Sequence, residues 1–235
     1  HYLENDMLGS ASIESRMADI HAAFSDDSVD AILATIGGFN CNELLPYLDF
    51  ELIARNPKIF CGYSDTTALL SAIYSKTGMK TYMGPSYSSF KMDALQDYQT
   101  ESWLKAVSQT SYELTPSEKW GDNAWYLPDA PLTFHETEWK VYHHGQAQAT
   151  AIGGNLSTFS LLRGTPYAPT DENYVLFVEE AEEDHYVEFE RNLAALLQAY
   201  PNPQALLIGR FPKECQMTEE LLLYILDKHP ILKTI

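Results

Sequence analysis

The chain has 235 residues, of which 45% are hydrophobic, so it can bury a sizeable core as one large domain or two small ones. Its formal net charge of −18 argues against binding to a nucleic-acid backbone or to an anionic membrane surface. The three cysteines form no Cys-x-x-Cys unit, which indicates a reducing cytoplasm, and no apolar run approaches the ~20 residues that a membrane helix needs.

The two ends of the sequence resemble interior points of a longer protein. His1 is not a methionine, and the residues after it lack the basic and apolar regions of a signal peptide. Residues 231–235 are expected to begin a strand. We therefore expect the chain to be a fragment, or only the ordered part, of a longer protein.

The first part of the chain alternates between helical and strand patterns. In order, the predicted segments are a helix over 13–24 with Ser10 or Ser12 as its cap, a strand over 29–36, helices over 42–48 and 50–55, a strand over 59–61, a helix ended by Gly78, a strand over 81–83 and a helix over 100–108. This order predicts an α/β domain with a flavodoxin-like or Rossmann-like parallel sheet. Ligands bind outside the carboxyl ends of such strands, which is where the loop Gly37-Gly38-Phe39-Asn40 lies.

Residues 58–70 combine a short strand, one tight turn and the start of a helix. Gly62 permits the turn, and the apolar residues after Asp65 recur at helical spacing. Ser64 at this corner would project its hydroxyl from the sheet edge, beside helix-start N–H groups that can stabilise an oxyanion. The pattern Gly-x-Ser-x-Thr departs, however, from the Gly-x-Ser-x-Gly of α/β-hydrolases. The alternative interpretation is that Ser64 only caps the helix.

The sequence pattern changes between residues 111 and 147, where prolines and aromatic residues replace the alternation of helical and strand segments. We therefore predict an N-terminal α/β domain over 1–110, a junction and aromatic loop region over 111–147, and a C-terminal domain over 148–235. Trp120 and Trp125 lie in the junction. These rings either pack in a core or face a flat group of a ligand.

The C-terminal part is predicted to be a β-rich α/β domain. Its segments are strands over 174–178 and 205–208 and helices over 188–200 and 218–228. Gly153-Gly154-Asn155 indicates a close backbone approach, and Asn155 or Ser157 can cap the helix that follows. Neither a phosphate loop nor a dinucleotide fingerprint is present.

Glu179 stands at the very end of an apolar strand, where a side chain is held firmly and partly buried. A buried carboxylate needs a partner, and orienting a histidine is one such role. The carboxylates that follow Glu179 are mostly predicted to form a solvated turn. None of the seven histidines has a motif that marks it as a base, and no histidine pair has zinc-site spacing with a third ligand, so we expect no metal.

Four blocks in the right order resemble the LD-carboxypeptidase family of serine peptidases. These blocks are the glycine loop 36–40 with 44–49, the corner 62–67, the segment 153–157 and the strand end 176–180. The Phe39-Asn40 variant and the tryptophan-bearing insert are most similar to the branch that contains the microcin C self-immunity peptidases.

The resemblance implies a Ser-Glu-His triad across two domains, with Ser64 as nucleophile and Glu179 orienting the base. It places the oxyanion hole at the backbone N–H groups of Asp65 and of a glycine of the Gly37–Gly38 pair, with Gly38 preferred. Substrate contacts are expected from Asn40, Trp120 and Trp125. The histidine is expected beyond Ile235. The other account is that this polypeptide lacks its base and is inactive as it stands.

The resemblance also implies an activity without cofactor or metal. The expected reaction is hydrolysis of the amide or phosphoramidate bond of a peptidyl-aminoacyl nucleotide, with a tryptophan stacked on the base. The alternative in the murein branch is cleavage of the L,D-peptide bond of a cell-wall tetrapeptide. A non-catalytic peptide-binding or nucleotide-binding protein is the alternative from another class. A cytoplasmic homodimer is expected by family resemblance, with a small substrate as partner and neither a nucleic-acid polymer nor a membrane.

Overall fold

The structure, a computed structural model, describes residues 1, 3–92, 94–121, 127 and 131–235. Within these residues the α-helices are α1 (Ile13–Ser25), α2 (Phe50–Arg55), α3 (Thr67–Thr77), α4 (Gln96–Ser108), α5 (Leu156–Ser160), α6 (Tyr186–Ala199) and α7 (Glu219–Asp227). The strands are β1 (Ala31–Leu33), β2 (Ile59–Gly62), β3 (Tyr82–Met83), β4 (Lys119–Trp120), β5 (His135–Glu136), β6 (Thr150–Asn155), β7 (Tyr174–Glu179) and β8 (Leu206–Ile208). Short 3₁₀ helices cover Cys41–Tyr47, Ser64–Thr66, Tyr87–Lys91, Lys213–Cys215 and Pro230–Lys233.

The described strands form two parallel three-stranded sheets and one antiparallel pair. The first sheet has the order β1-β2-β3 and the second the order β6-β7-β8, while β4 pairs with β5 in the junction. Helices alternate with the parallel strands in both halves, as the sequence pattern predicts, so the mixed α/β class is confirmed.

Most predicted elements form where expected, with shifted ends. Ser12 caps α1 by accepting a hydrogen bond from the Ser15 N–H, and Asn155 caps α5 through the Thr158 N–H. The strand expected over 29–36 shortens to β1, and the helix expected over 42–48 is a 3₁₀ helix. The strand expected from residue 231 is wrong, because Pro230 begins a 3₁₀ turn there.

Helix α3 lies between the two parallel sheets and is buried on most sides. Its residues from Thr67 to Ile73 are all buried, and it contacts β2 of one sheet and β6 of the other. The buried apolar residues of both halves belong to one continuous core cluster. The helix that follows Ser64 is therefore also the element that joins the halves.

Candidate active site

Ser64 occupies a sharp corner between β2 and α3. Its backbone φ is +57°, a left-handed conformation that a non-glycine residue rarely adopts and that recurs at functional sites. The hydroxyl has no hydrogen bond to any described residue, and the N-cap position of α3 belongs to Thr66. The interpretation of Ser64 as a simple helix cap is therefore wrong. Strand, strained serine and helix together have the geometry of a nucleophile elbow.

Glycines surround the elbow, where a side chain would be crowded. A Cβ on Gly62 would lie 2.8 Å from Ala34 Cβ and 2.8 Å from Thr66 Cγ2. A Cβ on Gly37 would lie 3.1 Å from Ser64 Oγ, and one on Gly38 would lie 3.0 Å from Asp65 Oδ2. The loop after β1 therefore runs against the corner, as its position at a strand end predicts. The glycine nearest the hydroxyl is Gly37, whereas Gly38 lies beside Asp65.

Asp65 ties that loop to the elbow. The side chain is 3% exposed, and its Oδ2 accepts a hydrogen bond of 2.9 Å from the Cys41 backbone N–H. Burial raises the pKa of the Cys41 thiol, and the Asp65 carboxylate raises it further, so Cys41 stays a neutral thiol. The Asp65 carboxylate thus fixes the loop, and its backbone N–H follows the strained serine.

Glu179 ends β7 and reaches the elbow from the second sheet. Burial raises the pKa of its carboxyl to about 7, and a backbone hydrogen bond from Ser64 partly opposes that rise. Gly209, at the end of the neighbouring strand, packs on it, since a Cβ there would lie 3.0 Å from Glu179 Cβ. The structure thus brings together the serine and the carboxylate that the sequence predicts as site residues.

The approach of the two sheets depends on small groups at the end of β6. Gly154 has φ +136°, and a Cβ there would lie 2.6 Å from Thr67 Cγ2. The Asn155 backbone N–H donates a 3.1 Å hydrogen bond to Thr67 Oγ1, and Asn155 pairs in register with Glu179. Asn155 is 2% exposed. The doubled glycine is therefore a docking contact for α3, the close backbone approach that its sequence predicts.

Glu180 differs from the prediction that the carboxylates after Glu179 are solvated. It is 5% exposed, and neither carboxylate oxygen has a partner with hydrogen-bond geometry among the described residues. Burial raises the pKa of Glu180 to about 9, and the neighbouring acids Asp184, Glu179 and Glu188 raise it too. The carboxyl is therefore protonated at neutral pH. The turn curls back, so only part of the acidic run, including Glu182, faces solvent.

No histidine of the described residues hydrogen-bonds to Ser64 or Glu179. His185 lies at the start of α6, and His135 contacts Trp120 in a tilted arrangement with ring centroids 4.7 Å apart. The base of the predicted triad therefore stays a prediction.

The three residues predicted to contact the substrate differ in what surrounds them. Asn40 Oδ1 accepts hydrogen bonds from Ser10 and Arg16, so a ligand contact would fall to its amide nitrogen. Trp120 lies beneath Arg210, whose Cζ is 4.8 Å from the indole centroid. Trp125 falls outside the described residues.

Gly209 and Arg210 were not predicted from the sequence as site residues. The rule that found Glu179, a position just past a parallel strand, also selects them.

Within the described part of the chain, no helix is long and apolar enough to cross a membrane. No group of three or more His, Cys, Asp or Glu side chains there could hold a metal ion.

Two regions of the sequence match known family models, and the segment between them is the one in which the sequence pattern changes. Residues 2–84 match the family model described as the LD-carboxypeptidase N-terminal domain, and residues 148–234 match the LD-carboxypeptidase C-terminal domain. The exact domain boundaries stay a prediction.

Individual relatives agree with these family models. YocD, a provisionally named carboxypeptidase of Bacillus subtilis (strain 168), is 45% identical over 94% of this chain and 69% of its own. The microcin C7 self-immunity protein MccF of Escherichia coli is 32% identical over 88% of this chain and 63% of its own. The crystal structure of an MccF-like protein from Bacillus anthracis str. Ames has a TM-score of 0.95 at 42% identity, covering 99% of this chain and 73% of that one. The chain therefore belongs to the LD-carboxypeptidase family of serine peptidases.

Proposed function

We propose that the protein is a serine hydrolase that cleaves the amide or phosphoramidate bond of a peptidyl-aminoacyl nucleotide, as in detoxification of a microcin C-like compound. The observation that carries the proposal is Ser64 at φ +57° on a strand–helix corner, with the Glu179 carboxyl against its backbone. A strained serine whose hydroxyl has no hydrogen bond to any described residue, beside a partly buried carboxyl, fits nucleophilic catalysis better than a structural role.

In the proposed mechanism, Ser64 Oγ attacks the carbonyl carbon of the scissile amide while its proton passes to a histidine oriented by Glu179. The Asp65 N–H and a glycine N–H of the Gly37–Gly38 loop donate to the oxyanion of the tetrahedral intermediate. The histidine then protonates the leaving amine. Water, deprotonated by the same base, hydrolyses the acyl-enzyme and regenerates the serine. The steps require no metal or cofactor.

The nucleotide substrate is supported by relatives within the family. Solved structures of MccF, at 31% identity, are complexes with glutamyl sulfamoyl guanosine and with aspartyl sulfamoyl adenosine. Both ligands carry an acidic aminoacyl group on a nucleoside. Trp120 would contribute an aromatic surface for such a ligand, as would Trp125.

A second candidate is hydrolysis of the L,D-peptide bond of a murein tetrapeptide. The murein tetrapeptide carboxypeptidase of Pseudomonas aeruginosa is 28% identical over 85% of this chain. The same Ser64 and Glu179 would serve that reaction, since both substrates present an amide carbonyl. A non-catalytic binding protein is the third candidate if no histidine completes the triad.

Labelling of Ser64 tests the hydrolase proposal before any substrate is known. A fluorophosphonate probe should label the full-length protein at Ser64, found by peptide mass spectrometry, and should not label Ser64→Ala. Ser108→Ala, at the exposed end of α4, should label like the wild type. Turnover of a processed microcin C analogue compared with a murein tetrapeptide then selects the substrate branch. Equal labelling of the wild type and Ser64→Ala would refute the nucleophile.

A further inference from the structure

Arg210 leaves the second sheet at the same edge as Glu179. Strand β8 is parallel to β7, and the Gly209 N–H extends that pairing with a 2.7 Å hydrogen bond to the Val178 carbonyl. Gly209 packs on Glu179, and Arg210 is the next residue. The guanidinium therefore departs one residue beyond the backbone that supports the proposed catalytic carboxylate.

The guanidinium lies over an aromatic ring. Arg210 Cζ lies 4.8 Å from the Trp120 ring centroid, and Nη2 donates to Thr137 Oγ1 at 3.4 Å. The ring attracts the guanidinium through a cation–π contact, and Thr137 is its hydrogen-bond acceptor among the described residues, so the other N–H donors are open to a ligand. An arginine fixed in this way is preorganised to bind a planar anion with two parallel hydrogen bonds.

The charge of Arg210 is not neutralised by any acid of the described residues. Arg16 and Arg55 pair instead with Glu43 and Glu51. A cavity of about 220 Å³ opens beside the guanidinium, and its lining is mostly apolar, with Trp120, Phe211, Met217 and Leu222. Glu219, which also borders the cavity, pairs with Lys140. Arg210 is thus the unpaired charge of this cavity within the described part of the chain.

A cation at this edge of the sheet would offset part of the negative charge around the site. The whole chain carries a formal charge of −18, and Glu179 ends the strand next to β8. An anionic substrate would be repelled by that field unless a local cation offset it. Arg210 is the cation that directly follows the strand end beside Glu179.

We propose that Arg210 is a specificity-determining residue that binds a carboxylate of the substrate through paired N–H donors, with Trp120 as the platform that holds the guanidinium. The inference rests on the proposed hydrolase function of the Ser64 site, and it adds the residue that binds the carboxylate of the substrate. The carboxylate is either an acidic side chain of the aminoacyl group or the free carboxyl end of a peptide. In this arrangement Trp120 holds Arg210, which covers one face of the indole ring.

Binding to the full-length Ser64→Ala protein, measured by isothermal titration calorimetry, separates the two sources. The first pair of ligands is aspartyl and asparaginyl sulfamoyl adenosine, and the second is L-alanyl-D-alanine and its C-terminal amide. The charged member of one pair should bind roughly tenfold to a hundredfold more tightly than its neutral partner, as expected for hydrogen bonds between charged groups. That preference should disappear in Ser64→Ala/Arg210→Gln and persist in Ser64→Ala/Arg55→Gln, whose Arg55 lies exposed on α2.

Equal binding of charged and neutral members in both pairs would overturn the inference, even without the Arg210→Gln variant. A preference that survives Arg210→Gln would overturn it as well. The hydrolase proposal is judged separately by fluorophosphonate labelling of Ser64, which needs no carboxylate. Normal labelling without carboxylate preference would remove only the role of Arg210. Absent labelling with a clear preference would refute the hydrolase and leave Arg210 as a carboxylate-binding residue without a role in specificity for a reaction.

Discussion

Ser64 keeps a strained backbone because its neighbours leave it no alternative. Its φ of +57° is costly for a non-glycine residue, by roughly 1–3 kcal/mol, so the surrounding packing must hold it. Gly62 beneath it and Gly37 beside it allow that packing, since a Cβ at either position would be crowded. The hydroxyl position is therefore set by residues that carry no reactive group.

Gly37→Ala tests this dependence at the hydroxyl itself. The added Cβ would lie 3.1 Å from Ser64 Oγ, so the hydroxyl must shift by a few tenths of an ångström. We expect fluorophosphonate labelling to slow by roughly tenfold to a hundredfold, because small misplacements of reacting groups are costly, while the melting temperature changes little. Gly145→Ala is the matched control, since no atom lies within 4 Å of a Cβ there. Unchanged labelling in Gly37→Ala would contradict the packing argument.

Glu179→Gln tests whether the carboxylate acts with the serine. Loss of the acid that orients the base costs on the order of 10⁴ in rate in a serine protease, so labelling of the full-length protein should fall by about 10³–10⁴. The pKa of Glu179 is about 7, so wild-type labelling should rise with pH through that value as the carboxyl ionises. Glu172→Gln, at an exposed position before β7, is the charge-matched control. Labelling that is independent of Glu179 would leave it a structural residue.

Glu180 predicts a pH dependence of stability with a defined sign. Its pKa is about 9 in the folded protein against an ordinary value of 4.5, so the folded state retains a proton that the unfolded state releases. The stability that this proton provides is complete below about pH 4.5 and is lost as the pH rises through 9.

Glu180→Gln should therefore raise the melting temperature at pH 8.5 and change it little at pH 4.5. Each kcal/mol gained corresponds to roughly 2–4 °C for a chain of this size. Glu182→Gln removes the same charge from an exposed position and controls for the net charge of the chain. Differential scanning fluorimetry across pH measures both variants. Equal behaviour of the two would show that burial of Glu180 has no energetic consequence.

At the scale of elements, the active-site edge exists because β6 can approach α3 closely. Gly154 combines a φ of +136° with contact to Thr67, so no other residue suits both its backbone and its surroundings. The Asn155–Thr67 hydrogen bond then fixes the register of the contact. Because β7 is paired to β6, this contact also positions Glu179 at the elbow.

Gly154→Ala should lower the free energy of unfolding by roughly 1–3 kcal/mol through backbone strain, and by more where the Cβ pushes Thr67 away. Chemical denaturation monitored by circular dichroism measures the loss. Gly164→Ala separates the two terms, because Gly164 has φ +73° but open space around its Cβ position. A Gly154→Ala loss no larger than that of Gly164→Ala would mean that the approach to Thr67 carries no weight.

At the scale of the whole molecule, the two halves share one hydrophobic core. The core runs from Phe24 and Phe60 in the N-terminal half to Leu176 and Leu196 in the C-terminal half, with α3 between the sheets. The two sequence regions that match separate family models are therefore packed as one body. A site that takes its serine from one half and its carboxylate from the other depends on that packing.

Leu156→Ala tests the coupling of the halves. Leu156 is fully buried on α5, which packs against α3, so truncation should cost about 2–5 kcal/mol. We expect a single calorimetric transition that moves to lower temperature as a whole, detected equally by circular dichroism and tryptophan fluorescence. A transition that splits in two would mean that the halves unfold independently. Leu161→Ala, at an exposed position one residue past α5, should have little effect.

The sequence predicted the helices and strands better than it predicted which side chains are buried. Ser64 and Glu179 were identified because each stands at the end of an apolar strand, a feature visible in neighbouring residues alone. Burial of Glu180 was missed, since it depends on how the turn folds back onto α6 and Cys215. The strand expected from residue 231 failed because Pro230 favours a helical turn, a local signal that the apolar run outweighed.

By itself, the sequence determined the order of strands and helices, the glycine corner around Ser64 and the family, because periodicity and glycine placement need only local contacts. The tertiary structure decided that Glu179 meets Ser64, that Glu180 is buried and that Arg210 lies over Trp120. These relations join residues far apart in the chain, and their energies come from sheet pairing, core packing and the removal of water. No local sequence pattern encodes these long-range contributions to the free energy.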